Sequence, residues 1–308
     1  MEKRTLGRTG LAVSRLGVGL AEIGELELEE ARRAAEVLNA ALDNGINFFD
    51  TAACYGVSEE LIGRTIARRR SEFVLATKAG HVVDGYTGEP WTAQTISDSI
   101  DRSLRRMRTD YLDLVQLHTC SVAILERGEV IDALQRAREA GKTRFIGYSG
   151  DNEPALWAVE SGLFDTLQTS FNLVDQNARH QLFGPARAQN MGIIDKRPIA
   201  NGAWGAQAAP SDYAAAYYER AKAIEALGPL PEGPTAGGVP VHRIWLALGF
   251  ALAHDAVDTC IVGTGDPEHM RQNIAWVETL PPVAQEIVTE LHDRFDQLTR
   301  EQSWPQLS

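Results

Sequence analysis

Three apolar runs in the first half of the chain stop on a polar, titratable side chain. They are Ile46-Asn47-Phe48-Phe49-Asp50, with Tyr55 just beyond, then Phe73-Val74-Leu75-Ala76-Thr77-Lys78, and then Leu112-Asp113-Leu114-Val115-Gln116-Leu117-His118. Short, nearly continuous apolar runs read as strands buried on both faces. When successive strands of this kind end on Asp, Lys and His, their carboxyl ends gather groups able to hold and move protons, as at the mouth of a parallel barrel enzyme.

The rest of the chain supplies the elements such a mouth needs. Leu16 to Leu20 reads as a strand, and Glu29 to Asp43 as a helix with Ala31, Ala34, Ala35, Leu38 and Leu42 on one face. After the strand ending at Asp50, Ser58 is expected to cap a helix that runs toward Arg68, with Glu59 and Glu60 in its first turn. A Gly- and Pro-punctuated loop, Gly80 to Trp91, follows the third strand, and Thr92 opens a helix over Ile96 to Met107. Thr143 to Ser149, Phe164 to Ser170, Gly192 to Lys196 and Thr259 to Val262 complete eight strands with helices between them. An inserted helix is expected near Ser211 to Leu227, and Gly228 to Pro240 as a loop within the domain. Eight strand–helix units without a separating linker predict one (β/α)8 TIM barrel spanning residues 1–308, an α/β fold in a single domain.

Bulk properties exclude several rivals. A chain of 308 residues that is 44% hydrophobic and 23% charged can bury a large core and is neither disordered nor fibrous. A formal charge of -12 opposes nucleic acid and anionic membrane surfaces, so neither is expected as a partner. Arg68-Arg69-Arg70 reads as a solvated helix end. Met1-Glu2-Lys3-Arg4 starts no apolar leader, and no stretch approaches the roughly 20 apolar residues of a membrane span, so a cytoplasmic location is expected. Three cysteines, Cys54, Cys120 and Cys260, contain no CxxC pair, which argues for free thiols and against a disulfide framework or a metal site.

In detail the chain resembles the aldo-keto reductases. Gly45, Asp50-Thr51-Ala52, Tyr55 and Glu59 match the family's pattern around the second strand. Asp110-Tyr111-Leu112-Asp113-Leu114 before His118, Gln168 with Phe171-Asn172-Leu173, and Ile261-Val262-Gly263-Thr264 followed by Pro267 and Gln272-Asn273 fall in family order. The resemblance implies a catalytic tetrad of Asp50, Tyr55, Lys78 and His118. Singly, Asp50 could cap a turn, Lys78 end a surface strand and His118 fill a core position; their joint occurrence favours the tetrad. Reducing a carbonyl leaves charge on oxygen, and a tyrosine of pKa about 10 is a weak acid near neutrality. A neighbouring Lys78 ammonium is expected to lower the Tyr55 pKa, Asp50 to hold Lys78 charged and oriented, and His118 to donate a hydrogen bond to the substrate oxygen.

The chain has no GxGxxG motif between a strand and a helix. The resemblance instead implies a nicotinamide dinucleotide laid across the barrel mouth. Ser149 and Gln168 would hold its carboxamide, with Asp151 in place of the family's asparagine. Lys196 stands where relatives place a flat side chain against the nicotinamide, and Arg197 is either a pyrophosphate ligand or a salt-bridged strand end. Gly263, Thr264 and Gly265 would line the phosphate side at a helix N-terminus, an intrinsic anion site, and Gln272 and Asn273 would face the adenine. His269 and Gly263 occupy the positions of the arginine and lysine that NADP-preferring relatives use for the 2′-phosphate. The expected cofactor is NADPH, with NADH the other candidate.

The implied activity is reduction of small aldehydes or ketones, or oxidation of aldoses or alcohols in reverse. The different class that stays open is a dinucleotide-sensing regulatory subunit with vestigial turnover. Trp91 and Trp204 are candidate substrate-wall residues, with ordinary packing as the alternative for each. Cys54 and Cys120 flank the tetrad in sequence, so their modification is expected to inhibit. Substrate identity and oligomeric state are left open.

Overall fold

The computed structural model describes residues 1–83, 85, 86, 88–231 and 243–307. Part of the expected Gly228 to Pro240 loop therefore lies outside the described residues. Strands β1 (Lys3–Thr5) and β2 (Ala12–Ser14) form an antiparallel hairpin. Then come β3 (Leu16–Gly19), β4 (Phe48–Asp50), β5 (Val74–Ala79), β6 (Leu112–His118), β7 (Thr143–Ser149), β8 (Thr166–Ser170), β9 (Gly192–Lys196) and β10 (Thr259–Gly263). These eight close in the order β10-β3-β4-β5-β6-β7-β8-β9, every neighbouring pair parallel. The fold is the (β/α)8 barrel, with helices packed around it.

Register lines up the chemistry. Gly19 pairs with Asp50, Lys78 with Gln116, His118 with Ser149, Ser149 with Gln168, Ser170 with Lys196, and Gly263 with Gly19. Because side chains alternate along each strand, this register carries the polar ends to one rim of the barrel.

The opposite end is plugged, a feature missing from the sequence reading. Leu6, Leu11 and Val13 of the N-terminal hairpin bury against Phe48, Val74, Ala76, Leu114, Ile194 and Ile261 inside the barrel. Gly7 turns with φ +44, and a Cβ there would lie 2.2 Å from the Gly192 backbone nitrogen, so only glycine fits.

Local signals explain most helices. Ala93–Met107 buries Ile96, Ile100, Ser103 and Met107, a stripe at spacings of three and four, and Thr92 Oγ1 accepts the Thr95 N–H at its start. Full burial of one such Ile is worth about 1.5–3 kcal/mol. Other expectations need correction. Ser58 is the first helical residue rather than the cap; its hydroxyl pairs with Thr51 Oγ1 at 2.8 Å. The acidic start at Glu29 forms a short 3-10 turn, and the α-helix begins at Ala31. Arg70 is no solvated-face residue: it pairs with buried Asp113 at 2.7 Å and lies 4.2 Å from the Tyr111 ring centroid. The inserted helix runs over Ala215–Glu225. Among the described residues, no helix is long and apolar enough to cross a membrane.

Candidate active site

Asp50 ends β4 and Lys78 stands one position before the end of the Val74–Ala79 strand, a placement that brings their side chains together. Both are 2% exposed, and Lys78 Nζ donates to Asp50 Oδ2 at 2.5 Å and to the Thr51 carbonyl at 2.9 Å. The second oxygen, Asp50 Oδ1, accepts from Gln116 Nε2 at 3.1 Å, reaching across from β6, two strands along the barrel. Gln116 is thus part of the site although no sequence pattern singled it out. Burial opposes the Lys78 charge, but Asp50 and Tyr55 outweigh it and hold the ammonium above its ordinary range.

Tyr55 follows on the loop after β4. The Lys78 ammonium lies 4.9 Å from its ring centroid, and the His118 imidazole meets the ring edge-on at 5.6 Å between centroids. The tetrad expected from the sequence is therefore one cluster. The tyrosine's titration runs opposite to expectation: burial raises the Tyr55 pKa by more than the Lys78 charge lowers it. The phenol therefore stays protonated near neutrality, with the Lys78 ammonium beside its ring.

His118 is held neutral, its pKa well below the ordinary histidine value, first by burial and then by the nearby charges of Lys78, His81, Lys196 and Arg197. A neutral imidazole donates through one nitrogen only. Nδ1 lies 3.4 Å from Cys54 Sγ, and desolvation of that sulfur raises the Cys54 pKa although the residue as a whole is exposed, keeping the S–H proton in place. An S–H donated to Nδ1 leaves Nε2–H as the free donor. Cys54 is exposed, whereas Cys120 is buried and its thiol pushed up to about 12 by that burial. Iodoacetamide is therefore expected to label Cys54 and spare Cys120, with turnover falling in step because an adduct against the imidazole displaces it. Peptide mapping alongside residual activity checks this; full Cys54 labelling with unchanged turnover contradicts it.

Of the two tryptophans, Trp91 borders the cluster. It adopts φ +60, packs its ring on Gly80, and meets His81 edge-on at 5.0 Å, which in turn meets His118 at 4.9 Å. Trp204 is 6% exposed and packs in the main core, in line with the packing alternative.

The residues implied for a dinucleotide divide in the same way. Ser149 Oγ donates to Gln168 Oε1 at 2.8 Å, while Gln168 Nε2 is buried without a partner among the described residues. A buried amide donor of that kind is costly unless a ligand acceptor satisfies it, which suits a carboxamide oxygen. Both carboxylate oxygens of Asp151 are engaged within the protein. Its Oδ1 accepts from Thr169 Oγ1 at 3.0 Å and from the Ser170 N–H at 2.8 Å, and its Oδ2 from Lys196 Nζ at 2.8 Å. Lys196 is thereby committed as well. Arg197 is a strand-end clamp, donating to Ser170 Oγ at 2.9 Å and to the Leu307 carbonyl at 2.7 Å, with Asp151 3.7 Å away.

Leu307 belongs to a C-terminal segment that reaches the β8 end of the barrel, a contact no sequence signal announces. Gln306 Nε2 donates to Thr169 Oγ1 and the Ser170 carbonyl, both at 3.0 Å, and the Leu307 N–H donates to Asp175 Oδ2 at 2.7 Å. Asp175 Oδ1 has no partner among the described residues. Burial drives this carboxyl from 3.8 to about 7. Because the folded pKa is raised, the native state keeps a proton that the unfolded chain loses, and stability falls as pH rises from about 4 through 7. Asp175→Asn keeps an acceptor for Leu307 and removes the titration. Its advantage over the native protein in urea unfolding is expected to grow by about 2–3 kcal/mol between pH 5 and pH 8; a difference independent of pH rules this out.

At the β10 end, Thr264 Oγ1 accepts from the Asp266 N–H at 3.0 Å and the helix Pro267–Thr279 begins. This N-terminus is capped from within: Asp266 Oδ1 accepts the Glu268 N–H at 2.8 Å. The expected anion site is thus partly filled by the chain's own carboxylate. Asn273 is 7% exposed, while His269 and Gln272 are exposed on the helix.

A parallel barrel with a buried Lys–Asp pair under a tyrosine and a neutral histidine at its mouth defines a class of oxidoreductase barrels, and the comparisons agree. The family model described as aldo/keto reductase family matches residues 15–292. The chain therefore belongs to the aldo/keto reductase family, a family of oxidoreductases. It is 28% identical to L-galactose dehydrogenase of Arabidopsis thaliana over 99% of this chain and 97% of that protein. It is 26% identical to a probable voltage-gated potassium channel subunit beta of Oryza sativa subsp. japonica, over 94% and 95%. Among solved structures it resembles the holo form of aldo-keto reductase AKR11C1 from Bacillus halodurans, with a TM-score of 0.78, 26% identity and 96% coverage of each chain.

Proposed function

We propose that the protein is a nicotinamide-dinucleotide-dependent carbonyl reductase acting on small aldehydes or ketones, and on aldoses or alcohols in the oxidative direction. The observation that carries this reading is the buried Asp50–Lys78 pair beneath Tyr55, with His118 at the tyrosine's edge. A bound dinucleotide would supply the hydride; Ser149 and Gln168 would hold its carboxamide, Gly263, Thr264 and Gly265 line its phosphate side, and Asn273 and Gln272 face its adenine. His118 donates Nε2–H to the carbonyl oxygen, and Tyr55 delivers its phenolic proton to the same atom as negative charge develops there. Lys78 stabilises the phenolate that results, Asp50 holds Lys78, and Gln116 holds Asp50. Trp91 forms part of the substrate wall.

The name of the Arabidopsis relative supports including sugars among the substrates tested. The test is steady-state oxidation of NADH and NADPH with a panel of small aldehydes and of NAD+ and NADP+ with aldoses, together with equilibrium binding of each dinucleotide. Turnover with any carbonyl or aldose supports the reading. Tight binding without turnover would favour a regulatory role, the reading the rice relative's name supports, and no binding would overturn both.

A further inference from the structure

Glu22 lies directly after β3, on the short helix Ala21–Gly24, and its carboxylate rests on Gly263: a Cβ built at Gly263 would come within 1.9 Å of Glu22 Oε2 and 2.6 Å of Oε1. Gly263 is thus the residue that makes room for a carboxylate at the phosphate side of the candidate cleft. The same segment borders the next glycine, where a Cβ would meet the Glu22 carbonyl at 3.8 Å and Leu26 Cδ2 at 4.0 Å. The segment is acidic, with Glu22, Glu25, Glu27, Glu29 and Glu30 against Arg32 and Arg33, and burial and then Glu25 raise the Glu22 pKa above the ordinary carboxylate range. The cations nearby are largely committed. Arg33 Nε donates to the Gly265 carbonyl at 2.7 Å and its Nη1 lies 3.4 Å from Glu30, while Arg271 pairs with Glu268 at 3.1 Å. The adjoining helix N-terminus is already capped by Asp266.

We propose that Glu22 selects NAD(H) over NADP(H): its carboxylate repels a 2′-phosphate at the Gly263 end of the cleft and accepts hydrogen bonds from an unphosphorylated adenosine ribose. This rests on the dinucleotide reading above and revises the cofactor expected from sequence. A phosphate dianion placed here would meet a carboxylate, a capped helix start and paired arginines. A ribose diol offers donors where, among the described residues, the Glu22 carboxylate has no salt-bridge partner, the Arg33 guanidinium that reaches the neighbouring Gly265 being paired with Glu30 and the Gly265 carbonyl.

The experiment is equilibrium titration of the native protein and Glu22→Gln with NADH and NADPH, followed by intrinsic fluorescence at low and high salt. The native protein is expected to bind NADH about tenfold more tightly than NADPH, the order of one like-charge contact at a partly exposed site. Glu22→Gln should cut that ratio at least about threefold, mainly by tightening NADPH, and salt should narrow it in the native protein. Equal or tighter NADPH binding by the native protein, or an unchanged ratio in Glu22→Gln, overturns the assignment and leaves the dinucleotide reading intact. Absence of binding by either dinucleotide overturns that reading and this inference with it.

Discussion

Tyr55→Phe is expected to lower kcat for carbonyl reduction by about 10²–10⁴, the usual worth of a positioned proton donor, while dinucleotide affinity changes less than about threefold. The ring and its packing against Lys78 and His118 survive the substitution; only the hydroxyl, with its proton and its hydrogen bond to Lys78, is removed. The pH dependence follows from the direction of the tyrosine's shift. Because burial raises the Tyr55 pKa despite Lys78, the phenol is protonated throughout the neutral range, and reductive turnover should stay flat there and fall only at alkaline pH. Oxidation needs the phenolate, so it should climb with pH where reduction falls. Rapid-mixing measurement of the hydride step in both directions checks this. A Phe variant with native turnover, or reduction that weakens as pH drops below neutrality while the fold persists, would assign the proton to another group.

The barrel and the gathering of Asp50, Tyr55, Lys78 and His118 were legible because each rests on a local pattern. A parallel strand buried on both faces must be written as an apolar run, and a run that breaks on Asp50, Lys78 or His118 declares its rim. What escaped notice depends on partners distant in sequence. Gln116 holds Asp50 from 66 positions away, and nothing around it differs from an ordinary strand. The tail contact between Gln306 and Asn152 spans 154 positions, and the bottom plug uses strands only three residues long. The helix N-terminus at Pro267 looked like an open anion site, but Asp266 satisfies it, because a residue that is a good cap is also a competitor for any incoming anion. The Tyr55 pKa was misjudged for a related reason: the sequence displays the charge that lowers it and conceals the burial that raises it.

The same concealment affects Asp151 and Lys196, which the sequence presents as two departures from a cofactor site and the fold presents as one buried pair, with side-chain exposures of 0% and 13%. Burial alone would push the Asp151 carboxyl up, yet Lys196 and the Ser170 N–H bring it below its ordinary range; burial lowers the Lys196 pKa, and Asp151 offsets only part of that. Asp151→Ala would strand the Lys196 ammonium next to Arg197 and remove the acceptor for the Ser170 N–H and the Thr169 hydroxyl. Unfolding in urea should therefore show a loss of about 3–5 kcal/mol, the cost of breaking a buried ion pair by removing one partner. Asp151→Ala combined with Lys196→Met should recover a large part of that loss, since no unpaired charge is left, while the backbone donor at Ser170 keeps recovery incomplete. If the single variant loses less than about 1 kcal/mol, water must reach Lys196 and the pair is not buried in solution. The double variant also separates scaffold from site. It places an unbranched apolar side chain at the end of β9, so stability restored without dinucleotide affinity would mean that the charges themselves face the cofactor.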